Sequence, residues 1–293
     1  MSKGLVAVIA AIAIIIGISA GVRTLGLFAR AADFNKSVKD HFLSDGGDFV
    51  EETIELDRFD KVKTDMASVN FYLEKGDSYK LEYHVYEDYI PQCSVDGGKL
   101  VIKQPSVFRV HLGLEKEQYY KLTVSDDAGV LDVNLDSTSG SIFIDTVDVS
   151  GKLEITSGNI AMKGINTDKL DLHATSGSID ASDVQTKEVK LHYTSGDVKF
   201  NNFVTDKLTV DMTSGDFICD EITFNDADLT ATSGNIRIKA TGSQDDYGYK
   251  LDTTSGTIRI GDMVVTDKFR SGAEKDKQVE VDITSCSMDL IFE

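Results

Sequence analysis

Tryptophan is absent from this chain, and proline occurs only twice in 293 residues. Proline cannot donate to a sheet ladder, so its scarcity fits long uninterrupted backbone pairing. Cations are scarce as well: 30 Lys and Arg face 49 Asp and Glu, for a net charge of −19. Residues 1–30 hold Lys3, Arg23 and Arg30 and no acid, which leaves −22 on the remainder. Such a surface repels phosphates and excludes nucleic acid as a partner. It attracts divalent cations, basic proteins or envelope-associated partners instead. The cysteines Cys93, Cys219 and Cys286 form an odd set without a CxxC. That excludes a disulfide framework and a cysteine metal site, and all three read as small buried residues. The sequence also lacks a P-loop, GxSxG, HExxH and a GxGxxG after a strand, so neither an enzyme nor a bound cofactor is expected.

What is present begins with a long apolar run. Residues 4–22, GLVAVIAAIAIIIGISAGV, hold nineteen apolar or small residues without a charge. At about 1.5 Å per residue they span roughly 28 Å, the thickness of a bilayer core. The alternative is a cleaved signal peptide, whose apolar region is usually about 7–15 residues, shorter than this run. An uncleaved single-pass anchor is therefore expected after a short tail (1–3). Arg23, Arg30, Lys36 and Lys39 follow the span, so loop charge alone does not favour export. Long domains translocate largely regardless of charge, and an extracellular C-terminal domain is expected. Residues 27–43 carry apolar residues at helical spacing before SDGGD, which predicts a juxtamembrane helix and linker over 23–49.

The dominant pattern is a repeat. Thr-Ser-Gly ends at Gly140, Gly158, Gly177, Gly196, Gly215, Gly234 and Gly256, and Thr-Ser-Cys ends at Cys286. The intervals are 18, 19, 19, 19, 19, 22 and 30. Aligned on the glycine, four columns stay largely apolar from copy to copy, at five and three residues before it and two and four after it. A period of two marks strands with one buried face. A unit this short cannot bury its own apolar side, whereas stacked copies can. The prediction is an all-β fold: a single-stranded parallel β-solenoid (β-helix) of about 19 residues per coil over 131–293, preceded by one N-terminal transmembrane helix. Residues 50–130 alternate without the tripeptide and are read as degenerate N-terminal coils or a β cap.

The tripeptide is then a corner. Glycine reaches positive φ without a Cβ clash, serine can close a local turn, and the threonine should point outward in a ladder. Intervals of 22 and 30 read as loops at 239–249 and 261–278. The closing MDLIFE reads as a last strand, either open for end-to-end self-association or covered by the 261–278 loop.

Chemistry on the coils reduces to one strip. His173 and His192 both lie four residues before the repeat glycine, in a column with Glu154 and Asp211. Imidazole and carboxylate together suit Zn²⁺ or a similar divalent cation. The same four residues also make an ordinary solvated face. Carboxylates along β-helices can also serve polysaccharide cleavage, which stands as the enzymatic alternative.

The glycine-cornered copies (TSGDF at 213–217), the upstream FDKVKTDMASVNFYLEKGDSYKLEY (59–83) and the apolar N terminus resemble a bacterial β-strand-repeat family of unknown function. That family is named for a proposed adhesin role. It includes Lia-type envelope-stress accessory membrane proteins, and the likeness covers about residues 50–293. The resemblance implies a β-solenoid on the cell envelope and brings no catalytic residues. The function expected is a membrane-anchored, non-enzymatic binding or scaffold module, accessory to envelope-stress signalling or to adhesion.

Overall fold

The computed structural model describes residues 43–44, 48–106, 110–111 and 117–293. They belong to two compact units, one of which is represented by Leu43–Ser44 paired in parallel with Val110–His111. The anchor at 4–22 and nearly all of the helix-and-linker region 23–49 lie outside the described residues. Among the described residues no helix is long and apolar enough to cross a membrane.

The second unit is all-β and solenoid-like. The chain laps upward, and each lap pairs in parallel with the one before at an offset of one repeat, as in Leu191↔Val210 and Val198↔Phe217. All four predicted apolar columns face inward, and none of their residues is more than 4% exposed. Even Ser137 and Thr253, the polar members, are buried, with hydroxyls spent on Gly140 O and Gly256 N. All eight repeat threonines are exposed, as their parity requires.

Each lap has a third side that the alternation did not reveal. Val184–Thr186 pairs with Phe203–Thr205, and Phe203–Val204 with Ile222–Thr223. Its inward residues include Ile165, Val184, Phe203 and Ile222, followed two positions later by buried Thr167, Thr186, Thr205 and Phe224. Thr186 and Thr205 each donate to the carbonyl two residues on, at Glu188 and Lys207, which closes the corner into the next lap. A second corner lies six residues after the glycine. There Thr146, Gly164, Asp183, Asn202 and Glu221 take φ between 50° and 66°.

The glycine corner is more demanding than a turn. A Cβ on Gly196 would sit 1.8 Å from Gly177 O, and one on Gly234 1.8 Å from Gly215 O. Gly140 and Gly256 are not among the positive-φ residues, yet a Cβ there would lie 1.8 Å from Val69 O and 1.9 Å from Cys286 O. Backbone therefore stacks directly on backbone at this edge. Serine supports the stack between laps instead of closing a turn within one: Ser214 and Ser233 donate to Thr194 O and Thr213 O.

The ends depart from simple stacking. Strand Lys277–Phe292 lies between Asp226–Ala240 and the Tyr247–Ile260 lap, parallel to both. The last lap in sequence is thus the penultimate one in space. The 22-residue interval climbs past the place that lap will fill. The 30-residue interval supplies Met263–Val265 and Lys268–Ser271, which cover the final lap antiparallel. The expected alternatives for MDLIFE are an open edge or a cover from the 261–278 loop; instead both sides of Ser287–Leu290 are paired, the outer one by Thr257–Ile260. Strand addition along Ser287–Leu290 is thereby closed off. At the other end, Lys61–Asp65 and Asn70–Gly76 form a lap held between Leu131–Asp145 and the Lys99–Lys103/Tyr119–Ser125 lap. Antiparallel Gln92–Asp96, Lys80–Tyr86 and Phe49–Glu55 finish it. The described strands within 50–130 thus include both parallel laps and antiparallel end strands. Cys219 and Cys286 are buried as read, whereas Cys93 is half-exposed.

Gly196→Ala is expected to cost at least about 3 kcal/mol, since it adds a positive-φ penalty to a clash with rigid backbone. Thr146→Gly should instead stabilise by about 1 kcal/mol, because a β-branched residue sits in the left-handed region there. Urea melts of both variants check the pair. Equal small effects would contradict the stacked-backbone corner.

Candidate functional site

Stacking in register turns single residues into columns. On the first side of the coil, one outward column contains Asp136, Glu154, His173, His192, Asp211 and Thr230. The structure brings His173 and His192 together, with ring centroids 4.9 Å apart and planes tilted by 42°. It adds a residue that the column alignment missed. Asp171 lies two positions before His173 on the same outward parity, and its Oδ1 is 2.8 Å from His173 Nε2. Asp211 reaches His192 from the next lap, with Oδ2 3.5 Å from Nδ1. Glu154 is drawn elsewhere, to Lys152 at 2.7 Å. Of the four predicted residues, the two histidines and Asp211 stay in contact, and Glu154 lines the same dip with its carboxylate held by Lys152. One ligand-type atom from each of Asp171, His173 and His192 lies within 4.8 Å of the others, and all three residues are half-buried. The exposed Thr175, Thr194 and Thr213 border the same shallow dip.

On the second side an aromatic ladder crosses from the cap into the coils. Phe49 packs on His84, His84 on Tyr119, Tyr119 edge-on to Tyr72, and Tyr72 flat on Phe143 at 4.7 Å and 9°. Tyr72 is fixed by donating to Glu117 Oε1 at 2.6 Å. Desolvation first, then the Glu117 carboxylate, pushes its phenol up to about 12. The rung after Phe143 is Ala161, too small to continue the ladder. A groove of about 390 Å³ opens there, with Phe143 at one wall and Glu74, Asp145, Lys163, Asp180 and Ser182 around it. Glu74 is held by Lys121 at 2.7 Å.

A family model described as Toastrack DUF4097 matches residues 61–290. Among solved structures, a proposed adhesin from Parabacteroides merdae is 11% identical with a TM-score of 0.52, covering 86% of this chain and 99% of that one. A proposed lipid-binding protein from Parabacteroides distasonis is 17% identical with a TM-score of 0.48, covering 85% and 99%. A proposed adhesin from Bacteroides fragilis is 12% identical with a TM-score of 0.43, covering 84% and 99%. No curated protein matches the chain.

The acidic column stores a small electrostatic cost. Partial burial, then the Glu154 and Asp65 carboxylates, hold the Asp136 carboxyl above its ordinary value. A carboxyl whose native pKa is raised binds its proton more tightly in the folded chain. The folded state therefore loses stability as pH rises from the unfolded value of about 3.9 through the native one. Asp136→Asn should raise the melting temperature by about 1 °C at pH 7, and the gain should vanish near pH 3. A gain that persists unchanged at low pH would mean that charge is not its source.

Proposed function

We propose that this chain, which belongs to the Toastrack DUF4097 family, is a non-enzymatic binding module of the bacterial cell envelope. Residues 4–22 tether it to the membrane as a single-pass anchor, and the β-solenoid lies outside the cell. One observation carries the reading: the aromatic ladder stops at Ala161 and leaves the Phe143 ring as the wall of an open groove rimmed by charged and hydroxyl groups. A sugar ring has one nearly flat C–H face, which suits an aromatic wall. Its hydroxyl edge suits a rim of carboxylates, an ammonium and a serine. The rim holds Glu74, Asp145 and Asp180 against Lys163, so the occupant is a saccharide that is neutral or carries amino groups.

Adhesion, or service as an envelope accessory that reports on wall state to a stress-signalling partner, both follow from one glycan-binding face. The adhesin role proposed for the Parabacteroides merdae structure accords with this reading. A polysaccharide-cleaving enzyme would need two carboxylates aimed at one bond. In the groove one of the three carboxylates, Glu74, is spent on Lys121 at 2.7 Å, which favours binding over cleavage.

Calorimetric titration of the purified full chain with glucosamine and N-acetylglucosamine hexamers tests the assignment. Saturable binding of at least one hexamer is expected. Phe143→Ala, which removes the wall, and Ala161→Leu, which fills the groove, should each weaken it at least five-fold. Absence of binding by either hexamer, or binding indifferent to both substitutions, would overturn the reading.

A further inference from the structure

We propose that Asp171, His173 and His192 form a zinc-type divalent metal site that clasps two adjacent laps of the coil, independently of the glycan reading above. The geometry carries it. Asp171 and His173 come from one lap and His192 from the next, and their ligand atoms converge within 4.8 Å. Parallel pairing places successive laps about 4.8 Å apart, so outward imidazoles on neighbouring rungs are within reach of a single ion. The Asp171–His173 contact at 2.8 Å is a carboxylate–imidazole pair that a metal can enter by replacing the shared proton.

The surroundings are arranged for a cation. Asp211 lies 3.5 Å from His192 Nδ1, a carboxylate of the kind that orients a ligating histidine from outside. Glu154 and Asp136 continue the acidic column on the other flank. Two lysines flank Asp171 in its own column, and both are engaged elsewhere. Lys152 pairs with Glu154 at 2.7 Å, and Lys190 with Glu188 at 3.3 Å. Glu188 also meets Lys169 at 3.7 Å, so the local cations are absorbed by carboxylates outside the cluster.

The donor set selects the class of ion. Two imidazoles and one carboxylate suit zinc and its borderline neighbours, whereas calcium and magnesium prefer oxygen-only shells. Three protein ligands leave a fourth position for water. Bound across two laps, the ion would bind the folded coil and not the unfolded chain, and so raise its melting temperature.

Zinc chloride titrated into the full chain by calorimetry, with parallel thermal melts, tests this. The expected result is one ion per chain at micromolar affinity and a rise in melting temperature of several degrees. His173→Ala, His192→Ala and Asp171→Asn should each weaken binding at least ten-fold and abolish the thermal shift. Glu154→Gln, which changes a residue turned toward Lys152, should alter affinity less than three-fold. Because Cys93 is half-exposed, Cys93→Ser is run alongside and is expected to bind as the unaltered chain does. No binding, equal binding by all variants, or loss of binding in Cys93→Ser alone would overturn the site.

Discussion

The contact on which everything else depends is backbone on backbone at the Thr-Ser-Gly corner. Each repeat glycine carries a backbone carbonyl of the neighbouring lap at a distance no Cβ could share, as Gly196 does that of Gly177. That contact locks the laps in phase. With the phase fixed, Leu lies over Leu inside the coil, and every outward side chain lies over its counterpart. The interior gains burial in long unbroken columns, and the exterior gains ladders whose members are neighbours only because the laps are in register. Cys286 is the informative exception: it takes the glycine place in a lap whose own corner is outside the positive-φ set.

Both candidate surfaces come from those ladders. The histidine strip needs His173 and His192 on adjacent rungs, and a one-residue slip would turn them inward and expose Leu172 and Leu191. The aromatic wall needs Tyr72 beneath Phe143, residues far apart in the chain that meet because the 61–76 lap is held beneath 131–145. The same logic explains the ends. Parallel coils have open edges by construction, and this chain closes each with short antiparallel strands. The rim strand Phe49–Glu55 carries three glutamates, and Lys268–Ser271 carries Lys268 and Arg270. Charges of this kind discourage strand addition by another chain.

Much of this was legible in the amino-acid sequence, and the part that was not has physical causes. Period-two columns around the glycine revealed two sides of the coil, since each side contributes two inward residues at fixed spacing. In three laps the third side carries one apolar residue and then a threonine, as in Val184 and Thr186, so hydrophobic alternation does not register it. The second corner holds Thr146, Gly164, Asp183, Asn202 and Glu221, whose shared left-handed φ is hidden behind five different side chains. Aligning that column would have shown mostly turn-forming residues. Asp171 escaped because alignment across laps compares rungs, while its contact with His173 runs along one strand. The order of the last two laps escaped because an interval of 30 residues looks the same whether it is a loop or a detour.

The order of laps at the C-terminal end is the sharpest consequence of the account, because the sequence alone implies the opposite. In a background lacking the three native cysteines, one chain carries Asn235→Cys with Ser287→Cys and another carries Asn235→Cys with Thr257→Cys. Residues 235 and 287 are register partners on adjacent laps, and 257 lies one lap further. A disulfide needs Cα atoms within about 7 Å, which one lap spacing satisfies and two do not. Rapid oxidation of the 235–287 pair alone is the predicted result. Oxidation of the 235–257 pair instead would show that the laps stack in chain order, and would contradict the fold as described.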